Sequence, residues 1–218
     1  DLREVTLGEN GLFHSIKKKA VYIDNTTASA EIARELYKNA KSKDFYFLDA
    51  PVSGGQAGAE NGALTVMIGG DEESFKKASP IIDCYSKKMK LLGPAGNGQL
   101  AKMVNQICIA GVVQGLSEAI NFGLNAKLKM EDVIETISKG AAQSWQMENR
   151  YKTMIDDKFD YGFAVDWMRK DLKIAMEEAK RNNSPLPITK IIDEYYSEVQ
   201  KMGGNRWDTS SLIKRFRK

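Results

Sequence analysis

Residues 99–126 read as one long helix, and no strand signal returns after it. This feature limits the fold more than any other, because it divides the chain into two kinds of sequence. Before it, short apolar runs at residues 20–24, 45–48, 63–68 and 89–92 have the length and composition of strands. Residues 30–40, with Ser29 as a helix-capping hydroxyl, and residues 71–84, with acidic residues in the first turn, have helical spacing. After it, helical patterns follow at residues 130–139, 165–181, 188–202 and 209–216. Pro185 and Pro187 break the chain before the third of these.

Strands separated by helices predict a doubly wound, mostly parallel sheet, part of a Rossmann-type α/β fold. An all-helical domain is expected to follow. The expected division is residues 1–95 and 96–218, with the boundary in the glycine-rich segment 93–98. The first residue is Asp1, and residues 1–16 read as a helix and loop entering a strand. The chain is therefore expected to begin within a fold.

Composition removes several function classes. Among 218 residues, 42% are hydrophobic and 28% charged, and the net charge is +3, so a nucleic-acid partner is not expected. The basic runs at 17–19 and 214–218 read as solvated faces. No stretch is expected to cross a membrane. Cys84 and Cys108 make no disulfide framework, which fits a reducing cytoplasm. One histidine, His14, and two scattered cysteines leave no expected metal set and no Ser-His-Asp triad.

The long helix carries apolar residues on nearly every side, which predicts burial. Yet its first turns hold Lys102, Asn105 and Gln106, and spacings of three and four place them on one face. A lysine entering a buried helix either finds a partner, loses its proton or snorkels to solvent. One reading is a general acid–base lysine with a lowered pKa, and the other is a helix-end lysine reaching water. Asp49-Ala50-Pro51-Val52-Ser53-Gly54-Gly55 follows a strand directly. Ser53 offers a hydroxyl, and Gly54 and Gly55 let main-chain N–H groups converge on an anion. The alternative is an ordinary Pro/Gly loop. Gly96-Asn97-Gly98-Gln99-Leu100-Ala101 has the G-x-G-x-x-A spacing of a dinucleotide fingerprint, but no strand returns after its helix. It reads better as a helix start that places Lys102. Trp145 and Trp167 read as core residues.

Together these segments resemble the β-hydroxyacid dehydrogenase family. The strings that carry the resemblance are IDNTTAS at 23–29, DAPVSGGQAGAENGALTVMIGGDEESF at 49–75, GPAGNGQLAKMVNQ at 93–106, Ser144-Trp145, and GFAVDWMRKDL at 162–172. The resemblance implies an NAD- or NADP-dependent 3-hydroxyacid dehydrogenase acting on a small hydroxy acid or semialdehyde, as a homodimer or homotetramer. It makes Lys102 the catalytic lysine. It assigns the substrate carboxylate to Ser53, Gly54 and Gly55, and an amide contact to Asn105 or Gln106. Thr27 and Lys170 match cofactor contacts. Gln106 stands four residues after the lysine, where many members carry Asn. The family's N-terminal GxGxxG unit has no counterpart in this chain, so the choice between NAD and NADP stays open. An imine reductase, a non-catalytic binding relative and an inactive fragment are the alternatives, and Lys102 weighs against the first.

Overall fold

A computed structural model describes residues 1–217. It separates into two compact units, Asp1–Val104 and a second that begins at Asn105.

In the first unit, helix α1 (Leu2–Leu7) and a 3-10 turn (Leu12–His14) lead to strand β1 (Val21–Asp24), helix α2 (Ala30–Ser42) and strand β2 (Tyr46–Asp49). A short strand β3 (Val52–Ser53) and helix α3 (Gly55–Glu60) come next. Strand β4 (Leu64–Gly70), helix α4 (Glu72–Asp83) and strand β5 (Ser86–Leu91) complete the sheet. α2 begins where its sequence asks it to: the Ser29 hydroxyl accepts from the Ile32 N–H at 3.2 Å. Its apolar face, Ile32, Ala33, Leu36 and Ala40, packs with Phe13, Phe45 and Phe47.

The strand order is β1-β2-β4-β3, with β5 beside β4. The longer ladders, β1 with β2 and β4 with β5, are parallel. β4 meets β2 and β3 in antiparallel sense, through Leu48 opposite Gly70, Asp49 opposite Gly69, and Ser53 opposite Thr65. The mostly parallel sheet is thus as expected, with a local reversal around β4. Two-residue β3 was not legible, because a strand this short has no period to read.

Helix α5 (Asn97–Asn125) runs from the first unit into the second. The second unit continues with α6 (Met130–Ile137), α7 (Trp145–Ile155), α8 (Val165–Arg181) and α9 (Pro187–Lys201). Residues Thr209–Phe216 form a 3-10 helix rather than the expected α-helix. Asp208 starts it, accepting from the Ser210 N–H at 3.0 Å. Within this unit Ala110 and Val113 join one core with Val165, Met168, Leu172 and Tyr196. Leu116 and Ile120 join another with Met130, Ile134 and Met154.

Three expectations fail here. α5 is not buried all round, since Val104, Val112 and Phe122 are exposed. It buries one helical face, and its apolar residues continue onto the opposite side. It is also, by length and composition, apolar enough to cross a membrane, against the expectation that no segment would be. Trp145 and Trp167 are not core residues. They are 49% and 45% exposed, and each lies under a guanidinium, Arg150 at 4.8 Å and Arg206 at 4.4 Å from the ring centre. Ser144 acts as the cap of α7, accepting from the Met147 N–H at 3.1 Å.

Gly162 explains the start of the GFAVDW string. It has φ +74, and a Cβ there would lie 2.0 Å from Asp208 Oδ2, which accepts from the Phe163 N–H at 2.9 Å. Asp208 is buried and also meets Arg150 at 3.3 Å. Gly162→Ala should therefore destabilise the helical unit well beyond the ~1 kcal/mol expected for Ser144→Ala, which removes only a cap. Urea unfolding of the two variants ranks them, and equal losses would contradict the close approach to Asp208.

Candidate active site

The site is built from the start of α5 outward. Asp49, the last residue of β2, is completely buried. Its Oδ1 accepts from the Gly96 N–H at 2.8 Å and its Oδ2 from the Gln99 N–H at 3.0 Å. The first N–H groups of a helix have no partner within it, and here a carboxylate takes two of those at the entry to α5. Glycine is required for the fit. A Cβ at Gly98 would stand 2.5 Å from the Asp49 carbonyl oxygen and 2.6 Å from that of Met67, and one at Gly69 would stand 2.5 Å from Asp49 Oδ1. The G-x-G string thus admits a helix start against the ends of β2 and β4.

Lys102 follows one turn later. It is buried, and its Nζ donates to the Val52 carbonyl at 2.9 Å. The snorkelling alternative is excluded by that contact and by the burial, because Nζ turns inward onto β3. The neighbouring residue is Ser53, the end of β3, and Gly54 (φ +141) and Gly55 (φ +61) follow in conformations that favour glycine. A Cβ at Gly55 would meet nothing within 4 Å, so the main chain is open there. The structure therefore brings Lys102 to the Ser53-Gly54-Gly55 segment.

Thr27 lies in the loop after β1. Asp24 Oδ1 accepts from the Thr26 N–H at 3.0 Å, and the Asn25 amide donates to the Ala50 carbonyl at 2.7 Å. Gln99 bonds this loop on both sides of Thr27, to Thr26 and to Ala28. Asp24 itself is buried, and its Oδ2 has no hydrogen-bond partner among the described residues. Burial raises its pKa, opposed by the bonds from Thr26.

In the second unit, Asn105, Gln106 and Lys170 meet around a residue the sequence reading missed, Asp171. The Asn105 amide donates to Gln106 Oε1 at 2.9 Å, and Gln106 Nε2 donates to Asp171 Oδ2 at 2.7 Å. Lys170 Nζ is 3.0 Å from Asp171 Oδ1. Gln106 and Asp171 are both buried, while Asn105 is half-buried. Asp171 sits in a run of charged residues, so its inward direction was hidden by its neighbours. Gln99 and Asp49 were missed for a different reason: their partners lie about fifty residues or more away in sequence. Among the described residues His14 bonds only the Gly8 carbonyl, at 3.1 Å, and no cluster could hold a metal ion.

Comparisons with known proteins bear on the family and fold of the chain. Residues 96–216 match the family model described as NAD-binding of NADP-dependent 3-hydroxyisobutyrate dehydrogenase, and residues 1–93 match that of the NAD binding domain of 6-phosphogluconate dehydrogenase. An uncharacterised oxidoreductase of Shewanella frigidimarina is 62% identical over all of this chain and 75% of its own length. The 2-(hydroxymethyl)glutarate dehydrogenase of Eubacterium barkeri is 35% identical over 95% of this chain and 69% of its own. The crystal structure of 3-hydroxyisobutyrate dehydrogenase from Salmonella typhimurium is similar with a TM-score of 0.87 at 28% identity, covering 98% of this chain and 74% of that one.

Burial pushes the Asp49 carboxyl up to about 6 from 3.8, with the bonds from Gly96 and Gln99 opposing. The folded state therefore keeps a proton through a window, about pH 4 to 6, in which the unfolded chain has released it. The contribution is fully present below the unfolded value and is lost as pH rises through 6, a fall of about 3 kcal/mol. Asp49→Asn should flatten that slope. It should also start less stable at pH 4.5, because its –NH2 cannot accept from one of the two N–H donors, whereas the hydroxyl oxygen of the protonated carboxyl still can. Urea midpoints at pH 4.5 and 7.5 test this, and equal pH slopes for the two proteins would contradict it.

Proposed function

The chain belongs to the β-hydroxyacid dehydrogenase family, and from that premise we propose that Lys102 is the proton-transfer residue of its NAD(P)-dependent 3-hydroxyacid dehydrogenase activity. The observation that carries this reading is the 2.9 Å bond from Lys102 Nζ to the Val52 carbonyl, which delivers the lysine to the segment proposed to hold substrate. The substrate is a small 3-hydroxy acid or the matching semialdehyde. Its carboxylate docks at Ser53, Gly54 and Gly55, where a hydroxyl and glycine main chain are accessible.

The nicotinamide supplies the redox chemistry, exchanging a hydride with the carbinol carbon. Asp24 Oδ2, buried at the end of β1 without a hydrogen-bond partner among the described residues, fits a ligand that brings hydrogen-bond donors, as a nicotinamide nucleotide does. Thr27 in the adjoining loop and Lys170 are its proposed contacts. In the oxidising direction neutral Lys102 takes the hydroxyl proton. In the reducing direction its ammonium returns a proton to the developing alkoxide. Between the two candidate amides, Asn105 is the better substrate contact, because both ends of the Gln106 amide are already engaged, with Asn105 and Asp171. Gln106 then supports Asn105.

The same reading carries a homodimer or homotetramer. The exposed Val104, Val112 and Phe122 on α5 support it, since extended apolar surface is ordinarily covered. It also carries a cytoplasmic location, supported by the two unpaired thiols Cys84 and Cys108.

Lys102→Ala should lower kcat by at least about 10²-fold while leaving the affinity for reduced nicotinamide nucleotide within about threefold. Steady-state turnover with small 3-hydroxy acids, beside a fluorescence titration of NADH and NADPH, measures both. Near-normal turnover would remove Lys102 from the mechanism.

A further inference from the structure

Gln99 is completely buried, and an amide side chain is costly to bury unless both of its polar ends are bonded. Its carbonyl oxygen accepts from the Ala28 N–H at 2.9 Å, and its amide nitrogen donates to the Thr26 carbonyl at 2.7 Å. Those two main-chain groups stand immediately before and after Thr27. The loop has two further anchors, the Asp24 carboxylate on the Thr26 N–H and the Asn25 amide on the Ala50 carbonyl. Both of these act ahead of Thr27. Only the bond from Gln99 to Ala28 fixes the main chain just after it among these four contacts.

The same residue is rooted in the helix that carries the lysine. The Gln99 main-chain N–H donates to Asp49 Oδ2 at 3.0 Å, and Lys102 is three residues further along, on the same side of α5. A single rigid turn of helix therefore connects the grip on the 26–28 segment to the ammonium that meets Val52.

We infer that Gln99 is a positioning residue that locks the Thr27 loop in register with Lys102, so that cofactor bound by the loop and the proton-transfer group keep one fixed separation. This inference rests on the reading that Thr27 contacts the nicotinamide nucleotide. Loops at strand ends are mobile by default, and a loop that samples several conformers binds its ligand more weakly in proportion to the lost population. Gln99 removes that loss by holding one conformer before cofactor arrives.

The test compares wild type, Gln99→Met and Gln99→Glu in the full-length enzyme. Gln99→Met keeps the size and loses both bonds. Gln99→Glu keeps the acceptor for Ala28 and turns a carboxylate oxygen toward the Thr26 carbonyl, and it serves where the Met variant folds poorly. Amide hydrogen exchange is read first, without ligand. Exchange at residues 26–28 should rise about tenfold in Gln99→Met, while amides of α5 beyond Lys102 stay protected. The Kd for NADH or NADPH should rise about tenfold, the population lost by the loop, while KM for the 3-hydroxy acid changes less than about twofold. The inference is overturned by unchanged exchange at 26–28, by unchanged nucleotide affinity, or by equal losses in nucleotide and hydroxy-acid affinity, the mark of general destabilisation. A wild-type enzyme that binds neither nucleotide would sink the dehydrogenase reading and this inference with it. Normal binding by wild type and variant alike would sink this inference alone.

Discussion

Asp49 closes β2, lies wholly out of solvent, and spends both carboxylate oxygens on main-chain N–H groups at the entry to α5. A helix N-terminus attracts anions because its unpaired N–H groups and its dipole act together. In a nucleotide-binding turn that anion is a pyrophosphate. In this unit it is a side chain of the neighbouring strand, so the helix is tied to the sheet by its own sequence. The rest follows from that tie. It fixes where α5 begins, and a helix advances by a set rotation per residue. Gln99 must then face the loop after β1, and Lys102 must face β3. The cost is a buried carboxylate whose pKa is raised to about 6, and the two N–H donors offset only part of it.

The fold class was legible because its signals are local. Apolar runs gave β1, β2, β4 and β5, and the Ser29 cap gave α2. The failures were of another kind. The two tryptophans look like core residues in the sequence because large rings are usually buried, yet each is covered by an arginine, and no sequence period announces a cation over a ring. The outward side of α5 looks buried in the sequence because Val104, Val112 and Phe122 are as apolar as the residues that face the core. Composition records what a side chain is made of, and only packing decides which side of a helix is covered.

Within the candidate site, the residues singled out from sequence are those with chemistry of their own: Lys102, Ser53, the paired glycines, the amides at 105 and 106. The residues missed are those that act on others. Asp171 gathers Gln106 and Lys170 from a run of charged neighbours that reads as solvent-facing. Outside the site, Asp208 holds the start of α8 by accepting from Phe163, and its presence is what obliges Gly162 to lack a side chain. In each case the signal is a glycine or a carboxylate whose partner is far away in the chain. A glycine in a motif is thus a record of an approach, and the partner becomes visible only when the backbone is folded.

The string Gly96-Asn97-Gly98 shows what this means for reading function from motifs. Its spacing is that of a dinucleotide turn, and its glycines answer the same steric demand, a close approach to a helix start. What approaches is different: the Asp49 carboxylate and the carbonyls of Asp49 and Met67. A spacing pattern therefore specifies the geometry of a turn and leaves its ligand open. The ligand is decided by what lies opposite. In this chain that is Asp49, which ties the start of α5 to the sheet three residues ahead of Lys102, with α5 packed further along through Ala110, Val113, Leu116 and Ile120. The proton-transfer role proposed for Lys102 calls for such a support, because a displacement of one ångström at the reacting atom is expensive in rate. A lysine on a mobile loop could reach the same point only part of the time, whereas one on the first turns of a packed helix is held there.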